Sequence, residues 1–261
     1  MPSKKSTRCA KSIVFINKKG GVGKTTSVVT IASYLSSINK TVLIIDCDSQ
    51  ANSTTRFLTE PQIESTPSLY DMLSKNIPWQ NCLVQAEQYP NIAVIPGSLE
   101  LDDASGALKR VNQALPQIAL EESLKGVKKH FDYIFFDCAP NTGILNQAAL
   151  VAGDSFIIPT DCTTDGLCGA DVIVDIAKAL GKLSKTKYLG LLICSYEKEN
   201  SKHMQEFRTL LEGYKDHLIK PKIPATSYIP AAGNKNKTIF DTHPNHKASK
   251  AFIEVTKSVI L

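Results

Sequence analysis

A short apolar run, Ile13-Val14-Phe15-Ile16, opens directly into Asn17-Lys18-Lys19-Gly20-Gly21-Val22-Gly23-Lys24-Thr25-Thr26, and a long amphipathic stretch follows. This strand–loop–helix succession constrains the chain more than any other feature. Glycines at 20, 21 and 23 let the backbone turn so tightly that several N–H groups face one point. The N-terminus of the following helix adds its partial positive charge there. Such a nest binds phosphate. Lys24 is spaced to reach the β- and γ-phosphates of a nucleotide, and the Thr25 hydroxyl to ligate Mg²⁺. Gly20, Gly21, Val22, Gly23, Lys24, Thr25 and Thr26 are therefore the expected nucleotide-binding residues.

The rest of the chain repeats this alternation. Apolar runs at 12–17, 41–46, 91–95, 132–137, 155–159 and 188–194 read as buried strands. Amphipathic patterns at 25–38, near 68–76, and at 98–125, 142–152, 166–183, 201–217 and 245–260 read as helices. Continuous apolar strands alternating with such helices specify an α/β fold, a doubly wound, mostly parallel sheet covered on both faces. The 261 residues hold no repeat, low-complexity segment or linker, so one domain over 1–261 is expected, with 1–11 as a basic, flexible arm.

No run approaches the roughly 18 apolar residues of a spanning helix. The apolar stretch after the basic N-terminus is too short for a signal peptide. Seven cysteines form no C-x-x-C pair and no zinc spacing, and most lie in apolar runs, which fits a reduced, cytoplasmic protein. The charge is uneven. Residues 1–177 carry 15 Lys+Arg against 18 Asp+Glu, and residues 178–261 carry 15 against 7, a net of +8 that suits a polyanion-facing surface.

Phosphoryl transfer to water needs a metal holder and a residue that positions the attacking water. In an open α/β sheet both belong at the carboxyl ends of strands beside the phosphate loop. Two strands end in aspartate: one in Asp46-Cys47-Asp48-Ser49-Gln50-Ala51-Asn52, the other in Asp137-Cys138-Ala139-Pro140.

The Lys19-Gly20-Gly21-Val22-Gly23-Lys24-Thr25 spelling resembles the deviant Walker A motif of the ParA/MinD superfamily, and the resemblance covers about 12–258. It implies an ATPase with ATP and Mg²⁺ as cofactors, working as an ATP-dependent homodimer. In that family the first lysine, here Lys19, reaches across the dimer to the partner's nucleotide, as an arginine finger does. Charge alone does not separate Lys18 from Lys19; the family register selects Lys19, and Lys18 is read as solvated. The segment at 46–52 resembles the family's Walker A′ box, in which Asp48 orients the water and Asp46 supports the metal shell or the loop. The segment at 137–141 resembles Walker B and switch II, with Asp137 holding Mg²⁺ through water. The chain departs from the family at Ser49 and Asn141, where prolines are usual, and at Ala51, where glycine is usual. It departs again at Asp161 and Thr163, where Gln and Glu are usual. Ile223-Pro224 resembles the family's stretch near the adenine, which adds Pro224 to the expected nucleotide contacts.

Within the superfamily, iron–sulfur members need cluster-like cysteine spacing, which is absent here, and ligases match the Walker A′ pattern poorly. MinD-like members end in a basic amphipathic membrane helix. Here Phe252, Val255 and Val259 share one face of a terminal helix whose other face is only mildly cationic, so a helix packed on the domain is expected and a membrane partner is not. The ParA branch, including partition ATPases and carboxysome positioners of the McdA type, fits best. It implies non-specific DNA binding, a location on the nucleoid, and a cargo-bound adaptor protein that stimulates slow hydrolysis. Where the family carries DNA-contacting arginines this chain has none, so Lys198, Lys202, Lys235 and Lys237 are the expected DNA contacts. Tyr196 and Tyr228 read as packing residues, and His203, His217, His243 and His246 as surface histidines rather than metal ligands.

Overall fold

The computed structural model describes residues 9–197 and 202–261, apart from the side chains of residues 202 and 203. The apolar runs become strands β1 (Lys11–Phe15), β2 (Val42–Cys47), β3 (Val84–Gln85), β4 (Ile92–Ile95), β5 (Tyr133–Cys138), β6 (Ser155–Thr160) and β7 (Lys187–Ile193). They form one sheet in the order β3-β4-β2-β5-β1-β6-β7, parallel except between β3 and β4. Between them run helices α1 (Lys24–Ser37), α2 (Asn52–Phe57), α3 (Glu60–Glu64), α4 (Leu69–Ser74), α5 (Ala104–Val111) and α6 (Ala119–Ser123). The second half adds α7 (Ile144–Ala152), α8 (Thr164–Ala179), α9 (Lys202–Leu211), α10 (Tyr228–Gly233), α11 (Ile239–Thr242) and α12 (Lys247–Val255).

The period-2 alternation of the strands divides the core into two layers. Val14 and Ile16 join Leu43, Ile45, Ile134 and Phe136 under α4 to α9. Ile13 and Phe15 turn the other way, with Ile44 and Phe135, onto α1 and α12. Both faces of β1, β2 and β5 are covered, which is why these strands read as unbroken apolar runs rather than as alternating ones. β1 lies between β5 and β6, and the chain leaves it through α1 toward β2, on the β5 side. The crevice at the carboxyl ends of these strands is where such sheets bind ligands.

Several elements differ from expectation for local reasons. The helix expected over 98–125 is broken between α5 and α6. Asn112 is extended there (φ −143°, ψ 102°), its side-chain oxygen accepts the Leu115 amide at 2.9 Å, and Pro116 starts a fresh turn. β3 is a two-residue edge strand, too short to show a period. Residues 1–8 of the expected basic arm lie outside the described residues. Lys11, the last of that arm, instead opens β1, and its Nζ donates to the carbonyls of Ile260 (2.9 Å) and Leu261 (3.0 Å). In the terminal segment Phe252 and Val255 are buried and Val259 is partly buried against the same core layer, so the apolar face of α12 is occupied by the domain. No helix among the described residues is long and apolar enough to cross a membrane.

Candidate nucleotide site

The loop between β1 and α1 is shaped by two left-handed residues, Gly21 (φ 74°) and Gly23 (φ 93°), conformations that a side chain would strain. A Cβ at Gly23 would also lie 3.0 Å from Cys194 Sγ, so the end of β7 packs directly beneath the loop. Val22 points into the core, leaving the glycine backbone to face the crevice. Lys24 is buried, and its Nζ donates to the Lys19 carbonyl at 2.9 Å. Burial lowers its pKa, and the carboxylates of Asp137 and Asp48 pull the other way.

β2 and β5 pair in register so that Asp46 stands opposite Asp137 and Cys47 opposite Cys138. The two carboxylates have different surroundings. Asp46 Oδ2 accepts the amide (2.9 Å) and hydroxyl (2.7 Å) of Thr54, and Oδ1 accepts the Asp48 amide at 3.2 Å. Asp46 was expected among the metal-binding residues. Its oxygens fasten the start of α2 and the turn after β2, an arrangement that suits the other expected role, support of the loop. Gly97 permits this packing: a Cβ there would lie 2.8 Å from the Asp48 carbonyl.

Asp137 is fully buried, and neither of its oxygens makes a hydrogen bond of normal geometry. Burial and the Asp46 carboxylate push its pKa up to about 8, against weaker pulls from the nearby Thr25 hydroxyl and Lys24 ammonium. An orphaned buried carboxylate beside a threonine hydroxyl is a donor set that suits a hard divalent cation such as Mg²⁺. Asp48 is buried at the mouth of the same crevice, and its Oδ1 accepts the Gln50 amide at 3.0 Å. Asn141, in place of the second proline, braces the turn before α7: its side chain accepts the Gly143 amide at 2.8 Å and the Asn146 side-chain amide at 3.1 Å.

Of the adjacent lysines, Lys18 is exposed and Lys19 is engaged. Lys19 Nζ lies 2.6 Å from Asp161 Oδ2 and 2.7 Å from Thr163 Oγ1 at the start of α8. The two residues that depart from the family after β6 are thus the partners of the lysine assigned to reach across a dimer.

A cavity of about 620 Å³ extends from the loop. One wall holds Gly20, Gly21, Gly23, Lys24, Thr25, Thr26 and Asp48. Another wall comes from elements that sequence periodicity did not reveal: Ile229, Pro230 and Gly233 of α10, Ile239 of α11, and Arg56 of α2. Arg56 Nη1 donates to the Gly233 carbonyl, tying α2 to the end of α10. Pro224 was expected at the base; Ile223 and Thr226 line the cavity in its place, while Pro224 pairs with Tyr196. The signal for this wall was weak because α10 and α11 span only six and four residues.

Of the expected DNA contacts, Lys235 and Lys237 are exposed, Lys198 lies outside the described residues, and Lys202 opens α9. Tyr196 packs as expected, under the Lys222 ammonium at 4.3 Å. Tyr228 does not: it is 43% exposed. No metal-binding cluster of His, Cys, Asp and Glu occurs among the described residues, and His246 caps α12 by accepting the Ala248 amide at Nδ1. Cys9 and Cys168 are exposed; the other five cysteines are buried, and burial raises the thiol pKa of Cys47 and Cys138 well above the ordinary value.

The chain is similar to known proteins along nearly its whole length. The AAA_31 family, described as an AAA domain, matches residues 10–188. The sporulation initiation inhibitor protein Soj of Bacillus subtilis is 28% identical over 251 residues, covering 95% of this chain and 98% of its own. The chromosome partitioning protein ParA of Myxococcus xanthus is 30% identical over 227 residues, 85% of this chain and 78% of its own. Cyanothece McdA, in its apo form, has the same fold at 23% identity, with a TM-score of 0.84 over 95% of this chain and 98% of its own; a variant of it has been solved with ATP. The loop, the carboxylates at the ends of β2 and β5 and these likenesses agree: the chain belongs to the AAA_31 family and is a P-loop ATPase of the ParA/MinD superfamily.

Proposed function

We propose that the chain is a slow, Mg²⁺-dependent ATPase of the ParA type that dimerises on ATP, binds DNA without sequence preference and positions or segregates a cargo. The observation that carries this reading is Asp137, buried without a normal hydrogen bond beside Lys24 and Thr25. A buried carboxylate without a partner calls for a compensating group, and a bound cation supplies one. Thr25 and Asp137 would hold Mg²⁺, which when bound neutralises charge on the phosphates. Lys24 exchanges the Lys19 carbonyl for phosphate oxygens, and the loop N–H groups bind the phosphate chain. Asp48 orients the attacking water, and Asp46 keeps Asp48 in place through the bond to its amide. Lys19 leaves Asp161 and Thr163 to reach the nucleotide of the partner subunit.

Support for the cargo role comes from the relatives, which carry the names of chromosome partitioning proteins and of McdA. The cargo would be a plasmid, a chromosome region or a protein compartment such as the carboxysome. It would be linked by an adaptor that stimulates hydrolysis, and the protein would sit in the cytoplasm on the nucleoid. The test is binding to random-sequence duplex DNA with ATP, ADP or no nucleotide, beside parallel samples with anionic liposomes. Tight, salt-sensitive DNA binding with ATP alone is expected. Liposome binding without DNA binding would move the protein to the MinD branch, and binding to neither would turn the search to small-molecule substrates.

A further inference from the structure

α2 is the first element after the turn that carries Asp48, and its six residues are too few to hold their own place. Its N-cap, Ala51, gives the helix no side-chain hydrogen bond. Position comes from three attachments instead. Thr54 is bound through its amide (2.9 Å) and hydroxyl (2.7 Å) to Asp46 Oδ2, and the same hydroxyl oxygen accepts the Gly97 amide at 2.9 Å. Phe57 and, just after it, Leu58 are buried, with the Phe57 ring edge-on to Tyr89 at 5.3 Å between centroids. The third attachment is Arg56, two residues after Thr54, whose Nη1 donates to the Gly233 carbonyl at the end of α10.

Thr54 and Phe57 fasten α2 to the sheet and its core, whereas Arg56 fastens it to the wall of the nucleotide cavity, which Arg56 and Gly233 both line. Arg56 is half-buried and makes no ion pair among the described residues. Burial lowers its pKa, with the nearby Tyr89 phenol pulling the other way. Taking a guanidinium partly out of water costs stability that one carbonyl bond returns only in part, so folding alone does not account for the contact. The fit is tight: a Cβ at Gly233 would lie 2.7 Å from Arg56 Nη1, so α10 cannot shift toward α2 without displacing the guanidinium. With the phosphates at the loop, the rest of a nucleotide fills the space toward Ile223, Thr226, Ile229 and Gly233, and so meets α10. At the other end, Asp46 Oδ1 accepts the Asp48 amide at 3.2 Å, and the Asp48 carbonyl accepts the Ala51 amide at 3.0 Å. An unbroken set of contacts thus runs from Gly233 through Arg56, Thr54 and Asp46 to Asp48.

We propose that Arg56 is a positioning residue for hydrolysis: through the Gly233 carbonyl it lets a nucleotide seated against α10 set the place of α2, and through α2 the turn that carries Asp48. The inference rests on the water-positioning role given to Asp48 above and adds the residue that makes that role depend on an occupied cavity. Such a link matters because a reacting group displaced by about 1 Å can lose roughly a hundredfold in rate. The planar guanidinium holds its donors in a fixed fork, so its bond to the carbonyl transmits a direction as well as an attraction.

The test follows phosphate release by the full chain with saturating ATP and Mg²⁺, and binding of a non-hydrolysable ATP analogue by calorimetry. Arg56→Ala should lower kcat by roughly ten- to a hundredfold, the range for a misplaced reacting group, with the affinity for the analogue unchanged. Phe57 stays in the core, so the variant should keep the wild-type circular dichroism spectrum. Arg56→Lys retains one donor for the carbonyl and should recover most of the lost turnover. In the Asp48→Ala background, Arg56→Ala should lower kcat no further, because the group it places is gone. Wild-type kcat in Arg56→Ala, beside an Asp48→Ala variant that has lost turnover, overturns the positioning role and leaves the ATPase reading intact. A loss of affinity without a loss of kcat makes Arg56 a plain nucleotide contact and overturns it likewise. So does an equal further loss in the Asp48→Ala background. No recovery in Arg56→Lys overturns the Gly233 carbonyl as the route. Normal turnover in Asp48→Ala alone overturns the reading on which the inference rests.

Discussion

The ammonium of Lys19 is held inside its own chain by Asp161, at 2.6 Å, with the Thr163 hydroxyl at 2.7 Å on a second side. In the proposed dimer that ammonium serves the nucleotide of the partner subunit, and one side chain cannot do both. Asp161→Asn should therefore favour the ATP dimer. The side chains are 29% and 24% exposed, so the gain is limited to about fivefold in the association constant, corresponding to an ion pair worth at most about 1 kcal/mol. Analytical ultracentrifugation with ATP measures it. An unchanged constant would mean that the ion pair does not compete with dimerisation.

Lys24 and Asp48 should separate binding from turnover. Lys24→Ala removes a buried cation that faces the phosphates, and calorimetry should show ATP affinity lower by roughly ten- to a hundredfold. Unchanged affinity would contradict the loop assignment. Asp48→Ala should still bind ATP and trap the dimer, while phosphate release falls by roughly a hundredfold or more, as for loss of a group that acts on the attacking water. Normal turnover in that variant would refute the water-positioning role.

Ala51 occupies the position where the family usually has glycine, and its φ is 50° with ψ 37°, in the left-handed region. Holding a side chain there costs roughly 1–2 kcal/mol, and glycine returns part of that as unfolded-state entropy. Ala51→Gly should stabilise the chain by about 0.5–1 kcal/mol, read as a higher urea midpoint with the same m-value. A lower midpoint would show that the turn after β2 does not strain Ala51.

At the far end of β1, Asp154 accepts the Ser12 amide (3.0 Å), the Ser12 hydroxyl (2.7 Å) and the Lys128 ammonium (2.6 Å). Burial alone would raise its pKa, but the Lys128 and Ser12 bonds outweigh burial and lower it. A carboxylate with a depressed folded pKa adds stability that is present above its unfolded value, near 3.9, and is lost as pH falls through the folded value. Asp154→Asn should therefore be less stable than wild type at pH 7, with a gap that narrows as the pH is taken below about 4. Urea midpoints of the two proteins across that range give the answer, and a gap independent of pH would assign the loss to packing alone.

The parts of the site that could be read from the sequence are those whose residues are neighbours in the chain. Residues 20–26 make their own nest, and Asp48 and Asp137 each follow a strand whose apolar run is unmistakable. What stayed hidden depends on distant partners. Asp161 meets Lys19 across 142 positions, and Arg56 meets Gly233 across 177, and neither contact leaves a periodic trace. That Ile223 and Thr226 rather than Pro224 line the cavity depends on the isolated bridge between Pro224 and Tyr196, a long-range pairing that an Ile-Pro pair does not announce. Tyr228 was misjudged because an aromatic beside Ile229 and Pro230 resembles a core segment, whereas α10 turns that position outward.

The division of the cysteines into two exposed and five buried sulfurs makes the chain its own stopwatch. Alkylation requires a thiolate that the reagent can reach, so Cys9 and Cys168 should label at once, while Cys47 and Cys138 wait for the sheet to open. Because these two sit at the ends of β2 and β5, next to Asp46, Asp48 and Asp137, their labelling times the breathing of the carboxylate half of the site in an unaltered protein.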